Sequence, residues 1–270
     1  MCYKIIILFL KSVELFLLIK REHLKAIFVL LLIVFSANAG AAWLYWVAVD
    51  DGTEKDFSNA AHWVKGNGAH IRAPGTGDVA VIDGSRSLAS VKLTGNVRFK
   101  KLIVKNAYSG TINLNGYRLW TNNDSLINGG PTVLVPANSV LQSYKKLVIG
   151  SNATVTASGS GSKIYVKSNL QIYGTLTAPS GGGDRFIVRG GFNLYSSGTF
   201  NHNNGTVTLT PRWRNSGGAP STAINIENGP GTGRNFYNLK KTGRRNIYLN
   251  KDIEIENDLI ITSAGYLRAK

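Results

Sequence analysis

"KIYVKSNLQIYGTLTAP", Lys163 to Pro179, is followed 22 positions later by "RFIVRGGFNLYSSGTFN", Arg185 to Asn201. Basic falls on basic, aliphatic or aromatic on aliphatic, and Gly-Thr-aliphatic on Gly-Thr-aromatic after a short slip. Alternation in a strand sends neighbouring side chains to opposite faces. Ile164 and Val166 are therefore expected to point inward, with Lys163, Tyr165 and Lys167 outward. In the second copy Phe186 and Val188 point inward, and Arg185, Ile187 and Arg189 outward. If one copy is one coil, Lys163 stacks on Arg185 and Lys167 on Arg189.

The same template recurs along the chain. Copies begin at Leu102 ("LIVKNAYSGTINL"), Leu147 ("LVIGSNATVTA"), Leu170, Phe192 and Leu259 ("LIITSAGYLRA"), with weaker ones at Leu126 ("LINGGPTVLV") and Phe236 ("FYNLKKTGRRNIYL"). The steps are 24, 21, 23, 22, 44 and 23, and the long step is twice 22. A period held this closely is an architectural signal. Short alternating runs separated by Gly- and Asn-rich turns predict an all-β chain. The predicted fold is a single-stranded parallel β-helix, or β-solenoid, of about 22 residues per coil and about seven coils. It is taken as right-handed, the commoner form. "DIEIE", Asp252 to Glu256, is placed at the same template offset as "KIYVK", with Ile253 and Ile255 inward and an acidic outer ladder.

Composition agrees with this reading. Charged residues make up 17% of the 270, and there are 30 glycines. That suits many short strands rather than a charged helical bundle. "KREHLK", "AIFVLLLIVF" and "SANA" read as the basic, apolar and cleavage regions of a Sec-type signal, with cleavage after Ala39. The apolar run is too short to span a bilayer comfortably, so no stable membrane span is expected in the mature chain. Residues 1–39 are thus assigned as leader, 40–92 as a Trp-rich cap, and 93–270 as solenoid with an irregular insertion at about 201–234. The protein is expected to be secreted or held at the cell surface.

Five Lys/Arg and two Glu lie in residues 1–39, leaving 26 basic and 13 acidic residues and a net charge of +13. A basic exported chain favours a polyanion: acidic polysaccharide, another cell-surface polyanion, or extracellular nucleic acid. A basic surface that merely aids solubility is the competing reading. Cys2 is the only cysteine, so the mature chain has neither disulfide nor thiol chemistry.

Residues 43–92 differ in character, with Trp43, Trp46 and Trp63 close together. A ring-rich cap can cover the core residues and unpaired edges that a solenoid exposes at its end. The order "DFSNAAHW…PGTGDVAVID", "NAYSGTINLNG", "GTFNHNNGTVTL", "NFYNLKKTG" resembles the N-terminal part of large secreted bacterial repeat proteins. Those are autotransporter-passenger-like or adhesin-like β-helix proteins. The resemblance places the start of the β-helix at Asn59, Trp63, Pro74, Gly75, Gly77 and Asp78. It implies a surface-associated structural or adhesive role, and a longer parent chain.

Sites for chemistry are sparse. His62, His70 and His202 have no zinc-ligand spacing, and neither a metal site nor a cofactor is expected. "GTGD" and "GGGD" read as turns. A polysaccharide lyase or hydrolase would need clustered carboxylates, and Asp184 beside Arg185 and Arg189 is the best local start for one. No catalytic residue is assigned. The expected glycan- or anion-binding residues are Lys163, Tyr165, Lys167, Arg185 and Arg189, with Arg212, Trp213 and Arg214 as a second group. Stacked like charges repel mildly, and an anion along the axis would relieve them. Long side chains splaying into water would do so as well. "RWR" with "LKKTGRRNIY" interleaves basic and aromatic residues as a single-strand nucleic-acid groove would.

Overall fold

The computed structural model describes residues 41–69, 72–211, 222–263 and 265–269. The leader, His70, Arg212, Trp213 and Arg214 lie outside the described residues. Among those described, no helix is long and apolar enough to cross a membrane.

The chain is an all-β solenoid of about eight turns at about 22 residues per turn. From Val79 to Asn201 each turn contributes a strand to three sheets in succession, and beyond Asn201 the described strands belong to the first and third sheets alone. Among the described residues the first sheet has 11 strands, the second 7 and the third 8. Leu170–Ile172, Thr175–Thr177 and Gly181–Val188 form one such circuit. Backbone pairing runs from each coil only to the coils on either side. Ile164 pairs in register with Phe186, Tyr165 with Ile187 and Val166 with Val188. All four apolar partners Ile164, Val166, Phe186 and Val188 are fully buried, as alternation requires.

Inward residues form continuous columns. In the first sheet Leu102, Ser125, Leu147, Leu170 and Phe192 are in register, followed by Ile224 and Leu249. This corrects three of the predicted copies. Leu126 pairs with Ile103 on the outer side, because the inward position belongs to Ser125. The Ser125 hydroxyl is kept inside by a 2.9 Å hydrogen bond with Thr121. Phe236–Lys241 and Ile255–Ile261 belong to the third sheet, so Phe236 and Leu259 do not open first-sheet copies.

"DIEIE" is displaced for the same reason. The third-sheet column runs Ile164, Phe186, Val207, Leu239, Leu259, so "DLIIT" rather than "DIEIE" occupies the "KIYVK" offset. Ile253 and Ile255 pack only at the margin of the core. The period slips where residues 210–221 separate Gly205–Leu209 from Thr222–Ile226. The equivalent earlier corners, such as Val166 to Leu170, are short turns. Both flanking strands nevertheless keep their places in the sheets.

The turn signature "Gly-Thr" has a steric cause. A Cβ on Gly174 would lie 2.2 Å from the Gly150 carbonyl oxygen and 2.3 Å from that of Ala153. The chain passes directly over the preceding coil there, and only glycine fits.

At the N-terminal end, Trp43–Trp46 pairs antiparallel with Trp63–Lys65 and parallel with Val79–Asp83. Trp46, Phe57, Trp63 and Phe99 pack as a ring cluster, with Trp63 edge-on to Phe57 at 4.8 Å. Trp46 Nε1 donates to the Ala89 carbonyl and Trp63 Nε1 to that of Phe57. Trp43 is half exposed and takes no part in the plug, because alternation turns it away from Leu44 and Trp46. Asn59 accepts from the Ala61 N–H to start a single 3-10 turn. In "PGTGD", Asp78 accepts from the Gly75 N–H at 2.7 Å and is gripped by Arg72. This motif is a closed turn with its carboxylate already satisfied.

Candidate functional site: the outer face of the third sheet

Outward side chains of the third sheet also stack coil on coil. Arg98 pairs with Trp120, Trp120 with Gln142, Gln142 with Tyr165, and Tyr165 with Ile187. Tyr144, Lys167 and Arg189 begin the turns that leave this sheet. Their N–H groups donate to the previous coil at Thr121, Ser143 and Val166.

Cations and rings alternate along this face. The Arg98 guanidinium lies 4.1 Å from the Trp120 ring centroid, and Arg118 lies 5.6 Å from it. Trp120 and Tyr144 stack at 5.4 Å. Lys167 Nζ lies 3.1 Å from the Tyr144 centroid and 5.8 Å from that of Tyr165. Arg189 lies 4.9 Å from the Tyr165 centroid. Each cation sits where the negative face of a ring attracts it. A hydrogen bond from Lys167, followed by burial in the opposite sense and the charges of Lys167 and Arg98, lowers the Tyr144 phenol below the ordinary tyrosine range.

Two donors on this ladder are left over. Trp120 Nε1 and Arg189 Nε are covered by neighbours and have no hydrogen-bond partner among the described residues. Both are shielded from solvent, so neither meets a ligand unless its neighbours move aside.

The residues singled out from sequence divide as follows. Lys163 is exposed, and the strand register carries it beside Arg185. Arg185 is drawn back along the strand, with Nη1 donating to the Ser180 carbonyl at 3.0 Å. Tyr165, Lys167 and Arg189 come together, with cations over ring faces rather than open to solvent. Arg98, Arg118, Trp120 and Tyr144 were missed. The signal was present as Arg98, Trp120 and Gln142 at even spacing, but the period was keyed to aliphatic residues.

The other candidate groups are tied up or dispersed. Asp184 accepts from Lys240 and from Thr208, each at 3.2 Å. In "LKKTGRRNIY", Lys240 is spent on that pair, and Lys241 is fully buried at the inward position of Val188 and Leu209. Burial lowers the Lys241 ammonium's pKa. His202 contacts Glu256 at 3.1 Å and stacks on Tyr237.

No family model, curated protein or solved structure matches the chain.

Proposed function

We propose that this is an exported, surface-associated β-solenoid that binds an acidic polysaccharide along the outer face of its third sheet. The supporting observation is the ladder Arg98, Trp120, Tyr144, Lys167, Tyr165 and Arg189, in which cations and ring faces alternate along the solenoid. Cations held on ring faces are already partly desolvated, so a carboxylate or sulfate can replace water at little reorganisation cost. The axial run of the ladder suits a linear polymer rather than a compact ligand. The adhesin-like and autotransporter-like reading belongs to this proposal, and so does export through the leader.

Size-exclusion chromatography of the full chain with an acidic polysaccharide tests it. Co-elution with intact polymer, weakening as salt rises, is the expected result. Shortened polymer would make the protein a polysaccharide-degrading enzyme instead. Separate elution at low salt would overturn the binding role.

A further inference from the structure

The second sheet presents a face of opposite character. Thr111, Thr132, Thr154, Thr175 and Thr199 stand in register over five successive coils. A second column, two residues along each strand, runs Asn113, Leu134, Thr156, Thr177 and Asn201. The residues between them, Ile112, Val133, Val155, Leu176 and Phe200, point inward and are buried. No charged residue lies in any of these five strands, although the whole chain carries +16.

The hydroxyls of Thr111, Thr132, Thr154, Thr156, Thr175 and Thr199 make no side-chain hydrogen bond among the described residues; the Thr177 hydroxyl accepts from Asn201 Nδ2 at 3.4 Å. Each threonine therefore offers a hydroxyl and a methyl outward.

Such a face suits neither of the obvious polymers. A polyanion needs cations, and these five strands have none; Lys92, which continues the second column past Asn113, is paired with Glu54. A sugar ring favours an aromatic platform, and the one ring in these strands, Phe200, is 1% exposed. What remains is a neutral, periodic partner. Stacked coils repeat at about 4.8 Å, and residues two apart on a strand at about 6.7 Å. These lengths are close to the oxygen repeats along two perpendicular directions of the ice lattice. Hydroxyls at that spacing can take places in a hydrogen-bonded water array, while the methyls between them favour its ordered arrangement. We infer that the second-sheet face binds ice, with the Thr111–Thr199 column as its centre line.

Ice-affinity partitioning of the full chain decides this. A dilute solution is frozen slowly, and protein is measured in the ice and in the remaining liquid. Enrichment in the ice fraction, with faceting of single crystals, is expected. Thr154→Tyr, in the middle of the column, should abolish the enrichment, and Thr154→Val should reduce it by removing one hydroxyl. Lys167→Glu, on the third sheet, should leave it unchanged, and circular dichroism establishes that each variant is folded. Exclusion of the unmodified chain from ice, to the extent of a globular protein without ice affinity, would overturn the inference. Equal enrichment of folded Thr154→Tyr would overturn the assignment to this face.

Discussion

Lys167 Nζ lies 3.1 Å from the centroid of the Tyr144 ring, one coil back along the solenoid. The contact ties a cation of one coil to a ring of its neighbour, and it lowers the pKa of the Tyr144 phenol. Lys167→Met removes the hydrogen bond and charge that favour the phenolate. Ultraviolet titration should then show Tyr144 ionising at higher pH, back toward the ordinary tyrosine range. An unchanged titration curve would mean that the contact does not persist in solution.

Charge reversal separates the ladder from a cation outside it. Lys167→Glu with Arg189→Glu should lower polysaccharide affinity and flatten its salt dependence, because fewer counterions are exchanged. Lys240→Glu, whose parent is spent on Asp184, should matter much less. Titration at two salt concentrations distinguishes the sets.

Phe192 is the centre of a buried ring cluster, 5.1 Å from Phe236 and 5.2 Å from Phe200. Phe192→Ala should cost about 3–5 kcal/mol of stability through lost burial and the cavity left behind. Denaturant unfolding followed by circular dichroism measures it.

Gly174→Ala tests the close coil-to-coil passage. The new methyl would overlap the carbonyl oxygens of Gly150 and Ala153, neither of which is the end of a flexible side chain. A loss of at least about 2 kcal/mol is expected from overpacking. An unaffected melting temperature would show that the backbone there gives way easily.

Asp83 carries a pH signature. Burial alone would raise its pKa, but hydrogen bonds from Ser85 and Asn106, with Lys105 beyond them, bring it from 3.8 to about 2. A carboxylate depressed in the folded state stabilises fully above its unfolded value and loses that contribution as pH falls through the folded one. The window therefore lies between 3.8 and about 2. Asp83→Asn should remove about 2 kcal/mol near neutrality and flatten the acid side of the stability curve. Chemical denaturation at a series of pH values reads both effects.

The fold was legible because parallel stacking needs the same inward residues at the same spacing, and Ile164 and Phe186 satisfy it openly. Phase was harder. Ser125 fills an inward first-sheet position with a hydroxyl satisfied by Thr121, so the aliphatic pattern pointed one residue too far. Past Leu209, the long connection to Thr222 broke the count, and the last copies were placed on the wrong sheet. The candidate site was half legible. Tyr165, Lys167 and Arg189 lie within the two obvious copies, whereas Arg98, Trp120 and Tyr144 lie in coils whose outward residues do not match one another. Stacking joins unlike side chains there, and self-similarity cannot reveal such a column. The threonine column was present at Thr111, Thr132, Thr154, Thr175 and Thr199, one residue before an inward apolar residue each time, but those segments were read for their apolar residues.

Pairing from each coil only to its immediate neighbours also sets the mechanics of the molecule. Tension applied between the two ends falls first on a terminal coil, whose release leaves the remaining stack intact. Each detachment frees about 75 Å of contour length, the reach of 22 extended residues. Pulled in this way, the protein yields in even, repeated steps, as an extensible tether does, rather than in one global rupture.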